Sequence, residues 1–331
     1  MKLTRARKGS ALALVVALSV LASSCSEGGA DNSGGGDSGG GGAGDNSGFT
    51  IAMVTHETPG DTFWDKIKAG AQQAAKNEGI TLKYSNDPEP SKQATLIKNA
   101  IDSKVDGIAT TLATPDALAD SVKAARDAGI PVVAFNSGIG QYKGVGAQMY
   151  FGSDETLAGA TAGQRLADAG SKHPLCVIQA AGSVALEARC AGVKSKVAGT
   201  ENIQVNGADD SAVVSSLQAK LSQDKSIDSI VTLGAPIALG AMKAMDAAGS
   251  DARLVTFDLN IDAAQAIKDG KIAFSIDQQP YVQGFLAVTS LYLGLKNGND
   301  IGGGNAVLTG PSFVDASNID VILPFAKKNT R

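Results

Sequence analysis

The sequence predicts an α/β protein built as two parallel-sheet lobes, and three observations carry that prediction. From residue 49 onward short apolar runs alternate with amphipathic stretches of helical length, the pattern of repeated β-α-β units. Glycine or proline stands at most junctions between them, where each element has to stop. The alternation yields more strands than one small sheet accommodates, and 331 residues exceed an ordinary domain of ~100–200. Strands separated by helices of this length pair in parallel, with both faces of each sheet covered.

Taken in order, the chain opens on an export segment. Lys2, Arg5, Arg7 and Lys8 precede an apolar run over 11–22, too short to cross a bilayer but suited to the core of a secretory signal, so 1–24 reads as a signal peptide. Leu21-Ala22-Ser23-Ser24-Cys25 resembles the lipobox of bacterial lipoproteins. The resemblance implies lipid on the Cys25 sulfur and an exported protein anchored at the outer face of the cell membrane, or periplasmic. An ordinary signal peptide with an incidental cysteine is the alternative. Between 26 and 48 stand 11 glycines with Ser, Asp and Asn and no large apolar residue. Residues 25–48 are therefore expected to be a lipidated, disordered tether with an r.m.s. reach of roughly 25 Å.

The folded region starts with a strand over 49–55. A helix follows over 61–78, with Trp64, Ile67, Ala71 and Ala74 on one face and Gly79 ending it. The series continues as strand 80–84, helix 91–103, strand 107–111, helix 115–128 and strand 131–135. A second series begins after Met149-Tyr150-Phe151, with helices over 155–169, 184–198, 211–222 and 236–248 and strands over 175–179, 203–206, 229–233 and 253–257. A strand over 274–276 and a helix over 285–295 follow, and short strands near 312–314 and 320–323 close the chain.

Composition narrows the function by exclusion. Apolar residues at 43% and charged residues at 19% describe an ordinary globular chain, and a net charge of −4 supplies no basic footprint for nucleic acid. His56 and His173 are the only histidines, and no G-x-S-x-G, P-loop or His/Cys metal spacing occurs. Gly138, Gly140, Gly144 and Gly146 lack the strand-to-helix setting of a dinucleotide site. No catalysis, metal or cofactor is expected.

Binding residues are sought where open parallel sheets place ligands, beyond the carboxyl ends of the strands. Asn136, Asp258 and Gln278 all fall there. Asp258 also reads as an N-cap for the helix starting near Ile261. Phe63 and Trp64 are adjacent and cannot share a helix face. One suits the core and the other a crevice, where a flat ring covers the C–H face of a pyranose or polyol; packing by both is the alternative. Arg189 offers a rigid fork of donors, Asp258 acceptors and Gln278 both, a set that satisfies the vicinal hydroxyls of a neutral ligand. Arg189 equally reads as a surface helix charge. Cys176 and Cys190, two thiols left in an exported chain, point to a disulfide between a strand and the next helix, with two free buried thiols as the alternative.

Six stretches carry a family resemblance: G-D-T-F-W-D-K-I-K-A-G-A-Q-Q-A-A (60–75), G-I-P-V-V-A-F-N-S (129–137), A-L-E-A-R-C-A-G (185–192), A-L-G-A-M (238–242), T-F-D (256–258) and S-I-D-Q-Q-P (275–280). Their order and spacing resemble the type I periplasmic-binding-protein-like solute receptors of ABC importers, in the sugar-binding group that includes ribose-binding protein. The resemblance spans roughly 49–323. It implies two doubly wound lobes joined by a three-stranded hinge with the ligand cleft between them. On that pattern 49–138 plus 279–311 form the N-terminal lobe and 149–277 the C-terminal lobe, while 139–148 and 312–331 supply the crossover or hinge and a tail. The helix after Pro280 should then pack on the first lobe.

The resemblance further implies ligand contacts from Asp61, Phe63, Trp64 and Asn136 on one side and Arg189, Asp258 and Gln278 on the other. The implied partners are a small sugar or polyol and an ABC permease, with a monomeric receptor. Relatives often carry Asn-Asp before the A-L-G-A stretch, where this chain has Gly234-Ala235-Pro236. Ligand identity therefore stays open among pentoses, hexoses and inositol-like polyols. A lipoprotein that signals to a membrane receptor and an exported α/β enzyme are the alternatives. A sugar-responsive transcription regulator shares the fold, but it would carry a helix-turn-helix head in place of the signal and tether.

Overall fold

A computed structural model describes residues 48–331; Cys25, the export segment and most of the tether lie outside the described residues. Two six-stranded sheets form. The first runs β2-β1-β3-β4-β5-β11, with β1 Thr50–Thr55, β2 Thr81–Asn86, β3 Gly107–Thr111, β4 Val132–Phe135, β5 Tyr150–Ser153 and β11 Ala306–Gly310, all parallel. The second runs β7-β6-β8-β9-β10-β12. Here β6 Pro174–Ile178, β7 Glu201–Gln204, β8 Ser229–Thr232, β9 Arg253–Phe257 and β10 Phe274–Asp277 are parallel, and β12 Ser312–Asp315 runs antiparallel on the β10 edge. The orders β2-β1-β3-β4-β5 and β7-β6-β8-β9-β10 are the same doubly wound order, so each strand of one lobe has an equivalent in the other.

Strand periodicity divides each core into two layers. Ile51 and Met53 pack with α1 (Phe63–Glu78) and α10 (Pro280–Asn297), whereas Ala52 and Val54 point to the opposite face, toward α2 (Pro90–Asp102) and α3 (Pro115–Asp127). In the second sheet Cys176 and Ile178 face α5 (Glu155–Asp168) and α6 (Val184–Lys196). Leu175 and Val177 face the layer of α7 (Asp210–Gln223), α8 (Ala235–Ala248) and α9 (Ile261–Lys268).

Helix α10 lies on the first lobe as expected from Pro280 onward. Its backbone runs so close to α1 that a Cβ at Gly70 would sit 2.0 Å from the Tyr281 carbonyl oxygen. Among the described residues no helix is long and apolar enough to cross a membrane.

Two expectations are corrected. Strand β5 belongs to the first sheet, paired with β4 and β11, although 149–277 was expected in the second lobe. Tyr150 and Phe151 each fill one of the two first-lobe core layers, and Tyr142 of the short helix α4 (Tyr142–Val145) packs there too, so 139–148 stays within that lobe. The chain passes between lobes at three other places: Ser153–Asp154 after β5, Gln278–Gln279 after β10, and Gly310–Pro311 between β11 and β12. The second correction is at the C-terminus. Residues expected as a strand near 320–323 lie in helix α11 (Ile319–Ala326), which packs on α9, because Ile319, Leu323 and Ala326 fall on one helical face and are buried together.

Cys176 on β6 and Cys190 on α6 are joined, with Cα atoms 5.8 Å apart and a sequence separation of 14. Thiol labelling of the unfolded, unreduced protein is expected to spare both. Reduction should lower stability by about 3 kcal/mol, the loop-closure entropy for ~15 residues in the chain-entropy account, and an unchanged melting temperature would contradict this.

Candidate functional site

The carboxyl ends of the two sheets face each other, and the lobes meet there through a backbone hydrogen bond from Val184 N to Ala113 O at 3.1 Å. The site grows from two equivalent positions. Asn136 follows β4 and Asp258 follows β9, the same strand of each lobe, and both have left-handed backbones with φ of 66° and 63°. Asn and Asp tolerate this region better than other side chains, and such strained positions persist where the surroundings over-determine them. Each is braced from the next strand: the Tyr150 hydroxyl donates to Asn136 O at 2.9 Å, and Ser275 Oγ donates to Asp258 O at 2.7 Å.

From these positions a continuous buried chain of polar groups crosses the cleft. Asn136 Nδ2 donates to Gln278 Oε1 at 3.1 Å, and Gln278 Nε2 donates to Asp258 Oδ1 at 2.8 Å. Asp258 Oδ2 lies 3.7 Å from Arg189 Nη1, which donates to the Leu233 carbonyl at 3.2 Å. Arg189 Nε in turn donates to Glu155 Oε2 at 2.5 Å, and the guanidinium stacks on Phe257 at 4.5 Å from its ring centre. Arg189 is 3% exposed and Asp258 6%, so neither is the surface charge or solvated loop cap that sequence alone allowed. The N-cap of α9 is Asn260, whose side chain accepts from Ala263 N at 2.8 Å.

Burial dominates the electrostatics. It raises Asp258 to about 7, against the opposing pull of Arg189 and the Gln278 hydrogen bond. It raises Glu155 as well, again opposed by Arg189. Arg189 is desolvated too, but the Glu155 and Asp258 carboxylates outweigh that and hold its pKa above the usual value.

The first-lobe residues are arranged differently. Asp61 Oδ1 accepts from Phe63 N at 3.0 Å, closing the start of α1, and burial raises its pKa. Phe63 and Trp64 both join the apolar cluster of the first lobe, their rings in edge contact at 5.2 Å. Both rings are buried, Phe63 at 9% and Trp64 at 4% exposure, because at the first turn of α1 the neighbouring loop also covers the helix end. His56 supplies that cover: its ring meets Trp64 edge-on at 4.8 Å, and its Nδ1 lies 2.7 Å from Thr111 Oγ1.

Burial lowers His56 from 6.5 to about 4. The folded state therefore takes up this proton less readily than the unfolded chain, and the stability His56 contributes is complete above pH 6.5 and lost as pH falls toward 4. Trp64 is the single tryptophan. Its fluorescence in the folded protein is expected to titrate with a midpoint near 4, and a midpoint near 6.5 would refute the burial of His56.

Sequence reasoning missed three residues. Glu155 holds Arg189; Gln283 Nε2 donates to Gln278 Oε1 at 2.9 Å; Lys66 is buried on α1 with Nζ donating to Thr62 O at 3.3 Å. Burial lowers the Lys66 pKa, opposed first by the Asp258 charge and then by Asp277. Glu155 alone left a trace in the sequence, as one of two adjacent acids opening a helix.

A family model described as a periplasmic binding protein domain matches residues 51–299. The chain is 31% identical over 244 residues to the ribose import binding protein of Escherichia coli, covering 70% of this chain and 79% of that one. It is 28% identical over 295 residues to a xylose/arabinose-binding protein of Sulfolobus acidocaldarius, covering 82% and 72%. A solved carbohydrate transporter structure from Acidothermus cellulolyticus, in complex with myo-inositol, is 54% identical with a TM-score of 0.84, covering 86% of this chain and 99% of that one. The two α/β lobes, the buried polar chain between them and these similarities place the protein in the periplasmic-binding-protein family, as the non-enzymatic solute-binding component of an ABC carbohydrate importer that takes a small sugar or polyol between its lobes.

Proposed function

We propose that the ligand is a neutral cyclic polyol of the inositol class, bound where the polar chain crosses the cleft. The observation that carries this reading is the run Asn136, Gln278, Asp258, Arg189, which alternates donors and acceptors at successive separations of 3.1, 2.8 and 3.7 Å. The myo-inositol complex of the 54% identical relative supports it. In this reading Asn136, Arg189, Asp258 and Gln278 contact hydroxyls directly, Asp61 accepts from the first-lobe side, and Phe63 and Trp64 form the apolar wall against the C–H face. The first lobe comprises 49–153 and 279–310 and the second 154–278 and 311–331.

Mechanism follows from differential contacts. A ligand that touches both lobes favours the closed form over the open one, and the closed form presents one composite surface to the permease. Lipid on Cys25 and the tether after it hold a monomeric, exported receptor near the membrane that contains the permease. Calorimetry and Trp64 fluorescence with myo-inositol, D-ribose, D-xylose and D-glucose test the ligand. Saturable binding of myo-inositol, tighter than that of the three sugars, is expected; a preference for any of the sugars sinks the inositol reading.

A further inference from the structure

We propose that Glu155 is a positioning and specificity residue of this site: it fixes the Arg189 fork toward Asp258 and makes the cleft reject anionic sugars. The inference rests on the reading above that Arg189 contacts the ligand. Glu155 is the second residue after the first passage between lobes. It is the first residue of α5, and its side chain is 3% exposed. Its neighbour Asp154 caps the helix, accepting from Leu157 N at 2.9 Å, so the helix end does not need Glu155.

Instead Glu155 Oε2 occupies Arg189 Nε at 2.5 Å. A guanidinium is planar and presents its donors in a fixed fork, so holding Nε decides where the Nη groups point. Here Nη1 is delivered to the Leu233 carbonyl and toward Asp258, with Phe257 behind the plane. Without Glu155 nothing holds Nε, and the fork is restrained only through Nη1 and the Phe257 ring.

Charge gives the second half. Arg189 lies between two carboxyl groups, Glu155 at 2.5 Å and Asp258 at 3.7 Å, so its single positive charge already has a partner before a ligand arrives. Glu155 Oε1 is buried with no protein partner. It is an acceptor waiting for a donor, which a hydroxyl supplies and a carboxylate does not. An arginine without this flank is a ready carboxylate site. Glu155 therefore discriminates partly by repulsion, turning a fork that suits sugar acids into one that takes neutral polyols.

Binding of myo-inositol and of D-glucuronate to the full chain by calorimetry tests this. Glu155→Gln, nearly isosteric, is expected to weaken myo-inositol about tenfold and to move the glucuronate-to-inositol affinity ratio about tenfold or more toward glucuronate. Glu155→Asp keeps the charge but withdraws it by one methylene. It should lose myo-inositol affinity while still rejecting glucuronate, and it decides the positioning role even if the glutamine variant does not fold. An unchanged ratio in E155Q, or wild-type inositol affinity in E155D, overturns the proposal. Arg189→Met separates the two readings: if it leaves myo-inositol binding intact, the ligand assignment of Arg189 itself is wrong. If it abolishes binding while E155Q is silent, only the role of Glu155 is.

Discussion

Asp258→Ala weakens ligand binding at least about 30-fold: calorimetry is expected to return a Kd raised by that factor or more. Asp258 is buried, accepts from Gln278 and faces Arg189, so alanine removes the acceptor and leaves both partners misdirected. Truncating one member of a buried, hydrogen-bonded charge pair costs about 2–5 kcal/mol, some 30- to several-thousand-fold in affinity. Wild-type affinity in D258A would refute the assignment.

Asp258→Asn adds a pH signature. Burial raises Asp258 from 3.8 to about 7, so between those values the folded state holds a proton that the unfolded chain has released. Stability relative to D258N is therefore greatest below about pH 4, declines as pH rises toward 7, and is level above it. Denaturant melts of both proteins from pH 4 to 8 measure the difference.

Gly159→Ala is expected to damage fold and site together. A Cβ at Gly159 would lie 2.0 Å from the Arg189 carbonyl oxygen, and across the same seam one at Gly192 would lie 2.4 Å from Thr156 O. Helices α5 and α6 must therefore separate. Overpacking of this kind costs about 1–3 kcal/mol, or roughly 2–5 °C in melting temperature for a chain of this size. The obstacle is the backbone of Arg189 itself, so the shift displaces its guanidinium and ligand affinity falls as well.

Gly70→Ala is the control. The approach to Tyr281 O is equally close at 2.0 Å, but it lies in the first lobe between α1 and α10, away from Arg189. It should lower the melting temperature to a similar degree with a smaller loss of affinity. Equal losses of affinity in both variants would disconnect the α5–α6 seam from the site.

How much was legible follows from where each signal lives. Strands and helices announced themselves because a strand buried on both faces is apolar throughout and a covering helix repeats every three to four residues. The exceptions share a cause. Residues 319–326 are apolar enough to pass for a short strand, and only packing on α9 selects the helix. Strand β5 is four residues long, and its lobe is decided by which sheet edge it meets. The strand-end positions of Asn136, Asp258 and Gln278 were readable because the end of a parallel strand is defined by local sequence.

The chain by itself determined the α/β class and the two-lobed plan, and it placed polar side chains at strand ends and two cysteines on a strand and the next helix, since apolar periodicity and strand termini are properties of short stretches. Only the tertiary structure decided which neighbours those residues keep. Asp154 and Glu155 are adjacent acids at one helix start, yet one caps the helix and the other grips an arginine 34 residues away. Lys66, in the first turn of α1, is buried and its charge interacts with Asp258 and Asp277 of the other lobe. Long-range pairing of charges depends on how two lobes close over one another, and no local pattern encodes that geometry.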